Sequence, residues 1–141
     1  MADDLDKYRN LEIDDTNLDV ELSKQASNYL FVAEKAVRAE MEYEMFKGQK
    51  VTLEAGLDEQ VRKAAEKEGR KITEAAITKE IQRHKDFMKA ENHLIRLRTN
   101  KELLRALRES WYMRKDMLIQ LAIKQRAELE CMVGETVKAA A

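Results

Sequence analysis

The chain has 141 residues, no proline and a single cysteine, and 38% of its residues are charged, with a net charge of −1. The lone cysteine excludes an intrachain disulfide, and no run approaches the roughly 18 apolar residues of a transmembrane helix. The absence of proline permits long helices, and the abundance of Ala, Glu, Lys, Leu and Arg is typical of coiled coils. Composition therefore predicts a soluble, intracellular, all-α protein whose lean core is completed by burial between subunits.

Charge is distributed unevenly along the chain. Residues 1–22 carry eight acids and two bases, whereas residues 62–126 carry eighteen bases and nine acids. An acidic arm beside a strongly basic body indicates a polyanionic partner, and the arm would mask the basic surface in the absence of that partner. A solvated helix surface is the alternative explanation of the same charges.

Residues 1–15 are acidic and weakly patterned, which predicts a mobile arm. Residues 16–19 form a capping-box variant, so the first helix is predicted to begin at Thr16. Gly48 either breaks this helix or lies within an oligomer strut, because an unbroken helix of about 80 Å is too long for a compact monomer; Gly69 ends it. Apolar residues at intervals of three or four predict its inward face: Leu18, Leu22, Ala26, Tyr29, Ala33, Val37, Met41, Met45, Val51, Leu53, Leu57 and Val61.

A second helix is predicted over residues 73–98. Its inward face is Ile77, Ile81, Met88 and Ile95, flanked by Phe87 and Leu94. Thr99 opens a capping box and predicts a last helix that ends near Val133, before Gly134. The inward residues of that helix are Leu104, Leu107, Trp111, Leu118 and Ala122. The sequence thus predicts one helical domain over 16–134, a hairpin or bundle of long amphipathic helices with coiled-coil-like packing, followed by a tail over 135–141.

Motifs for catalysis or for a bound metal are absent from the sequence. It contains no Walker-type phosphate loop, no G-x-S-x-G motif and no H-E-x-x-H motif. His84 and His93 are nine residues apart and so face opposite sides of a helix, while Glu80 shares a face with His84 alone. We therefore predict a protein that is not an enzyme and that uses no metal and no cofactor.

The polar face of the last helix carries a basic stripe interrupted by one aromatic residue, with spacings of four, three, four and three: Lys101, Arg105, Arg108, Tyr112 and Lys115. Proteins that bind single-stranded nucleic acids combine a cationic groove, which follows the phosphates, with aromatic rings on which bases stack. Further cations lie near the central turn: Arg62, Lys63, Lys67, Arg70 and Lys71. The alternative is an exposed helix face on which Glu102 and Glu109 pair with the cations.

Four segments, in this order, carry a resemblance to a known family. They are an alanine-rich first helix ending in residues 49–58, the Gly69-Arg70-Lys71 turn, residues 73–76, and residues 103–107 followed by 113–117. Over residues 18–127 the chain resembles the UvsY family, the recombination mediators of T-even and related phages. The resemblance implies a ring-like homo-oligomer that binds single-stranded DNA in the cytoplasm of a phage-infected bacterial host. It would help to load a RecA-type recombinase onto DNA coated by a single-strand-binding protein.

One departure from the family concerns its DNA-binding pair of cations, which falls here at Glu54 and Gly56. Either neighbouring cations replace that pair or the site has moved; the neighbours are Lys47, Lys50, Arg62 and Lys63. The sequence leaves a second function open, namely a helical structural or adaptor protein that oligomerises and binds protein only.

Overall fold

A computed structural model describes residues 3–141 of the chain, and every regular element within that range is helical. The elements are α1 at Asp3–Arg9, a 3-10 helix at Asp15–Asn17, α2 at Leu18–Lys67, α3 at Glu74–Arg83 and α4 at Lys85–Ala140. The predicted all-α fold class is confirmed.

These helices form two compact units. Unit 1 comprises the described residues up to Ala36 together with Leu104–Ala141, and unit 2 is Val37–Leu103. In unit 1, α1 and the beginning of α2 pack against the second half of α4. In unit 2, the remainder of α2 packs against α3 and the beginning of α4. The domain limits drawn from the sequence, at 15/16 and 134/135, stay predictions.

The start of α2 differs from the prediction, because a 3-10 helix capped by Asp14 precedes it and Thr16 lies inside that 3-10 helix. The backbone N–H and the hydroxyl of Thr16 both donate to the Asp14 carboxylate, at 3.0 and 2.5 Å. The hydrogen bond from the Thr16 hydroxyl, followed by that from Asn17, lowers the pKa of Asp14. Short polar side chains such as Asp bond readily to backbone N–H groups two residues further on. The 3-10 helix therefore occupies Asp15–Asn17, and α2 begins at Leu18, two residues after the predicted start.

α2 is continuous through Gly48, so the predicted alternative of a break there is wrong. A helical glycine costs only about 1 kcal/mol relative to alanine, which its strongly helix-forming neighbours offset. The predicted end near Gly69 is confirmed. Gly69 has a positive φ of 65°, and the N–H groups of Gly69 and Arg70 donate to the carbonyls of Glu66 and Ala65. This pair of bonds satisfies the last carbonyls of the helix in a Schellman motif.

The break between the next two helices lies at His84, so the predicted boundary at Thr99 is wrong. Thr73 does cap α3, as predicted, by accepting a hydrogen bond from the Ala76 N–H at 3.2 Å. His84 is extended; its N–H donates to the Ile81 carbonyl and its Nδ1 accepts from the Asp86 N–H at 3.2 Å. His84 therefore caps the end of α3, and its side chain accepts a hydrogen bond from the first turn of α4. Thr99 lies inside α4 and donates to the Ile95 carbonyl.

The end of α4 also differs from the prediction, because the helix passes Val133 and Gly134 and continues to Ala140. Gly134 does not adopt the positive φ of a helix-ending glycine, and the Thr136 hydroxyl donates to the Met132 carbonyl inside the helix. Nothing in this stretch stops the helix, since the residues that follow Gly134 include three alanines and no proline.

Burial confirms the predicted inward face of α4 at Leu104, Trp111 and Leu118. The inward face predicted for α2 is wrong in part. Leu18 and Leu57 are buried as predicted, but the other buried positions of α2 form a line beside the predicted one: Gln25, Val32, Ala36, Ala39, Tyr43 and Ala65. The predicted line is therefore largely exposed, at 57% for Val37, 55% for Met41 and 60% for Met45. In the α3–α4 region Ile77 and Leu94 are buried, but Met88 and Ile95 are exposed.

Candidate nucleic-acid interface

Unit 1 contains an apolar groove between α2 and α4. The two helices run antiparallel here, since Glu21 meets Arg114 and Tyr29 meets Tyr112. The groove has a volume of about 400 Å³. It is lined by Leu22, Gln25, Ala26, Tyr29, Trp111, Tyr112, Lys115 and Ile119. The lining is mostly apolar, and three of its side chains are aromatic.

Two tyrosines mark the opening of this groove. The ring centroids of Tyr29, on α2, and Tyr112, on α4, are 6.3 Å apart, and the planes are tilted by 58°. Tyr112 is 54% exposed, so its ring is available to a planar ligand. Beneath it, Trp111 is buried and held at both ends: its indole N–H donates to the Tyr8 carbonyl at 2.8 Å, and its own carbonyl accepts from Gln25 at 2.6 Å. These two hydrogen bonds fix the position of Trp111, which is adjacent to Tyr112 in α4.

Three of the predicted stripe cations lie in unit 1 beside Tyr112. The Lys115 ammonium lies 4.3 Å from the centre of the Tyr112 ring and 3.5 Å from the Asp116 carboxylate. Partial desolvation lowers the pKa of Lys115, but Asp116 and Tyr112 outweigh it and hold that pKa above its ordinary value. Arg105 is exposed and lies 3.4 Å from Glu109. Arg108 is half-buried and has no carboxylate within 4.0 Å among residues 4–141.

Lys101, the remaining cation of the stripe, belongs to unit 2. Its ammonium lies 4.4 Å from the centre of the Tyr43 ring and 3.5 Å from Glu102. The structure therefore brings together Arg105, Arg108, Tyr112 and Lys115, and places Lys101 in another packing environment.

Three of the five predicted cations near the central turn are held in ion pairs, whereas the exposed Lys67 and Lys71 have no such pair within residues 4–141. Arg62 donates to Asp58 at 2.6 Å and to Glu74 at 2.8 Å, and these hydrogen bonds raise its pKa. Lys63 lies 2.5 Å from Glu59, and Arg70 lies 2.5 Å from Glu68. Each of these pairs is exposed, so a phosphate would have to displace a neighbouring carboxylate.

Lys71 and Lys50 complete the predicted set. Lys71 is exposed and has no ion-pair partner within the described part of the chain. Lys50 is half-buried, pairs with Glu91 of α4, and lies 3.8 Å from Glu54 and 4.9 Å from the centre of the Phe87 ring. Glu54 is one of the two positions matched to the family's DNA-binding cations. Its carboxylate lies beside the Lys50 ammonium and partly neutralises that charge.

Sequence reasoning missed a second group of polar residues behind the groove. Arg114 is only 5% exposed and lies 2.5 Å from the Glu21 carboxylate. It also donates to the Gln25 side chain at 3.0 Å and to the backbone carbonyls of Leu11 and Glu12 at 3.2 and 2.8 Å. Because every one of these bonds points inward, Arg114 holds the fold together and does not face a ligand.

The acidic arm meets α4 through its backbone. Carbonyls of Tyr8, Leu11, Glu12 and Asp15 accept hydrogen bonds from side chains of α4. The Tyr8 ring stacks on Phe31, with centroids 4.5 Å apart. Two of the arm's acids pair within α1 itself, Asp4 with Lys7 at 3.4 Å and Asp6 with Arg9 at 3.2 Å. Residues 1 and 2 of the predicted arm lie outside the described range, and its predicted mobility stays a prediction.

The histidines have separate environments. His84 lies at the α3–α4 break, whereas the His93 ring meets Phe46 edge-on at 4.4 Å. Over residues 3–141 no group of three or more His, Cys, Asp or Glu side chains is arranged to hold a metal ion. Over the same range, no helix has both the length and the apolar character required to cross a lipid bilayer.

Comparison with models of known protein families, with curated proteins and with solved structures gave no match for this chain.

Proposed function

We propose that this protein binds single-stranded DNA and acts, without catalysis of its own, as a recombination mediator. The observation that carries the proposal is the groove of unit 1, where the exposed Tyr112 ring, the half-buried Tyr29 ring and the Lys115 ammonium form one edge. A surface that joins exposed aromatic rings to cations suits the bases and phosphates of an unpaired strand.

The groove assigns a role to each kind of side chain. A base stacks on Tyr112, with Tyr29 closing the other side, and such stacking is worth about 1–3 kcal/mol for each base. Arg108 and Arg105, one and two turns away from Tyr112 along α4, together with Lys115, attract the phosphates on either side. Arg108 is the cation best suited to this role, because no carboxylate of residues 4–141 lies within 4.0 Å of it.

The role as a mediator rests on the resemblance to the UvsY family. Within this proposal the chain forms a ring-like homo-oligomer with coiled-coil-like contacts and helps to load a RecA-type recombinase onto DNA coated by a single-strand-binding protein. The exposed apolar side chains of α2 and α4, such as Met41, Met45 and Met117, support association because isolated chains rarely expose so many.

The same exposed apolar side chains favour the second candidate, an adaptor that oligomerises and binds protein only. The C-terminal part of α4 provides the strongest case for it: Leu129, Met132, Val133 and Val137 are each more than 60% exposed. This candidate predicts self-association without affinity for DNA.

Replacement of Tyr112 separates the two candidates. Tyr112→Ala should weaken binding of a labelled oligothymidylate by about 1–3 kcal/mol, with little change in salt dependence, because stacking releases no counterions. Tyr112→Phe retains the ring and is the matched control, which should bind nearly as the unmodified chain does. Fluorescence anisotropy measures both. Equal affinities for the alanine and phenylalanine variants would refute the stacking role, and no binding by the unmodified chain would favour the adaptor.

A further inference from the structure

The C-terminal part of α4 continues beyond the packing of unit 1. Every residue from 126 to 141 is exposed, and Leu129, Val133 and Val137 are each more than 60% exposed. A helix of about 15 residues that packs against nothing is only marginally stable in water. We propose that residues 119–137 of α4 pair with the same residues of a second copy of this chain, antiparallel and about a twofold axis level with Glu128.

Helical spacing defines the surface that would form the pair. This surface, called the pairing face here, consists of Ile119, Ile123, Arg126, Glu130, Val133 and Val137, all of them exposed. At about 100° per residue, these positions fall within roughly 80° of the circumference of α4. Lys124, Glu128 and Glu135 lie on the opposite side of the helix. The pairing face is therefore an apolar stripe with one ion pair at its middle.

The apolar residues of the pairing face are arranged symmetrically about Glu128. Ile119 and Val137 each lie nine residues from it, and Ile123 and Val133 each lie five residues from it. In an antiparallel pair centred there, each of these side chains faces an apolar side chain of the partner. Removal of this apolar surface from water is the driving force for association.

The charges of the pairing face determine which way the second helix runs. Arg126 and Glu130 lie two residues on either side of Glu128, and they pair within the chain at 3.1 Å while their side chains stay 83% and 67% exposed. In the antiparallel pair, Arg126 of each copy meets the partner's Glu130. A parallel pair in the same register would place Arg126 against Arg126 and Glu130 against Glu130, and contact between like charges disfavours that orientation.

The pair also accounts for Gly134, which the single chain does not require. Gly134 lies inside α4 without a positive φ, and outside its own helical backbone no atom lies within 4 Å of the position that a Cβ would occupy. In the pair it faces Ala122, because both lie six residues from Glu128. Two small residues at facing positions allow two helix backbones to approach closely.

This inference rests on the proposed function, because it specifies one contact of the proposed homo-oligomer. A twofold contact joins copies in twos and closes on itself, so a ring requires further contacts as well. The groove of unit 1 is formed within one copy. Copies that are separated at the pairing face should therefore still bind a single strand.

Two neighbouring residues of equal exposure test the pairing face. Val133→Arg places a cation on the face, opposite the partner's Ile123. The matched control, Met132→Arg, makes the same kind of change at a side chain that is 64% exposed, against 63% for Val133, but that lies about 140° from the middle of the face. In sedimentation at micromolar concentration, Val133→Arg should lower the mass of the assembly at least twofold. Met132→Arg should leave the mass unchanged.

Cysteine cross-linking tests the direction of the two helices. In a Cys131→Ser background, Ile123→Cys and Val133→Cys are oxidised separately and as an equal mixture. An antiparallel pair brings position 123 of one copy to position 133 of the other, so only the mixture should form a cross-linked dimer. Met132→Cys in the same background is the control and should cross-link with neither.

The outcomes separate the pair from the rest of the proposed function. If Val133→Arg, still helical by circular dichroism, keeps the mass of the unmodified chain, the pairing face is not a contact between copies and the pair is refuted. If each cysteine variant cross-links with itself, the helices run parallel and the antiparallel assignment is wrong. If the unmodified chain is a monomer, both the pair and the proposed homo-oligomer are refuted. Binding of oligothymidylate by the same samples tests the groove of unit 1 independently.

Discussion

Replacement of Arg114 tests the packing that holds the groove in place. Arg114→Met removes the cation that bonds to Glu21, Gln25 and the carbonyls of Leu11 and Glu12. Removing one partner of a fully buried ion pair costs roughly 3–5 kcal/mol, because the other charge is left without compensation. The Glu21 side chain is 24% exposed and water can solvate it, so the loss here should lie near the lower limit, about 3 kcal/mol. This loss is a large part of the free energy of unfolding of a typical folded domain, which is about 5–15 kcal/mol. It should lower the melting temperature by roughly 10 °C.

The assay uses Trp111, the only tryptophan in the chain, which lies 4.9 Å from the Arg114 guanidinium. Urea titrations followed by tryptophan emission and by circular dichroism give the free energy of unfolding. Emission should also shift to the red in the native variant, because Trp111 loses its contact with the arm. Arg105→Met, which removes an exposed cation on the same helix, is the control and should change stability by no more than about 0.5 kcal/mol.

A double variant sharpens the test. Glu21→Gln combined with Arg114→Met removes both charges and should regain part of the loss, since no carboxylate is then left unpaired. A loss of less than about 1 kcal/mol for Arg114→Met, with unchanged tryptophan emission, would show that the bonds of Arg114 resemble those of a surface arginine and would refute the reasoning.

Three further predictions concern acid stability, the arm and assembly. The hydrogen bond from Arg114 lowers the pKa of Glu21, so its stabilisation is complete above an unfolded pKa of about 4.3 and is lost as pH falls through the folded value. Glu21→Gln should therefore flatten the acid side of a plot of melting temperature against pH, and an unchanged slope below about pH 4.3 would contradict this. Deletion of residues 1–15 should expose Trp111 to acrylamide quenching while strengthening DNA binding modestly, and weaker DNA binding would argue against masking. Light scattering at micromolar concentration should give the mass of several subunits, whereas a stable monomer would rule out the homo-oligomer.

The sequence predicts the ends of some helices well and others poorly, for identifiable reasons. Gly69 ends α2 because a positive φ there favours glycine, and Thr73 caps α3 because its hydroxyl reaches the third N–H group. The break at His84 has no such signature, since histidine is not a usual capping residue. Thr99 has the capping pattern, but the helix on both sides is strong enough to continue through it.

The inward face of α2 shows a limit of the periodicity argument. The predicted line through Met41 and Met45 and the buried line through Ala39 and Tyr43 are both apolar and lie side by side. Hydrophobicity alone therefore could not choose between them; the choice depends on the residues of α4 that meet this part of α2, such as Lys101, whose ammonium lies 4.4 Å from the centre of the Tyr43 ring. On α4 the prediction was correct at Leu104, Trp111 and Leu118 but wrong at Met88 and Ile95, which are exposed.

The candidate site was predictable only in part. Spacing alone identified Arg105, Arg108, Tyr112 and Lys115 as one stripe, but it could not show that Tyr29 of another helix faces them. Arg114 looks from sequence like one more surface cation; its burial follows from tertiary contacts with Glu21 and the arm.

Charge reversal beside the groove tests the binding of single-stranded DNA most directly. Arg105→Glu with Arg108→Glu is compared with Lys124→Glu and Arg126→Glu, which makes the same change of charge on the same helix, in salt titrations with labelled oligothymidylate. The unmodified chain should bind with an affinity that falls steeply with salt, and the first variant should bind far more weakly, with a salt slope lower by about 1.4. The control should bind almost normally. If the folded Arg105→Glu, Arg108→Glu variant bound the strand as tightly as the control, with the same salt slope, the groove of unit 1 would not be the DNA site.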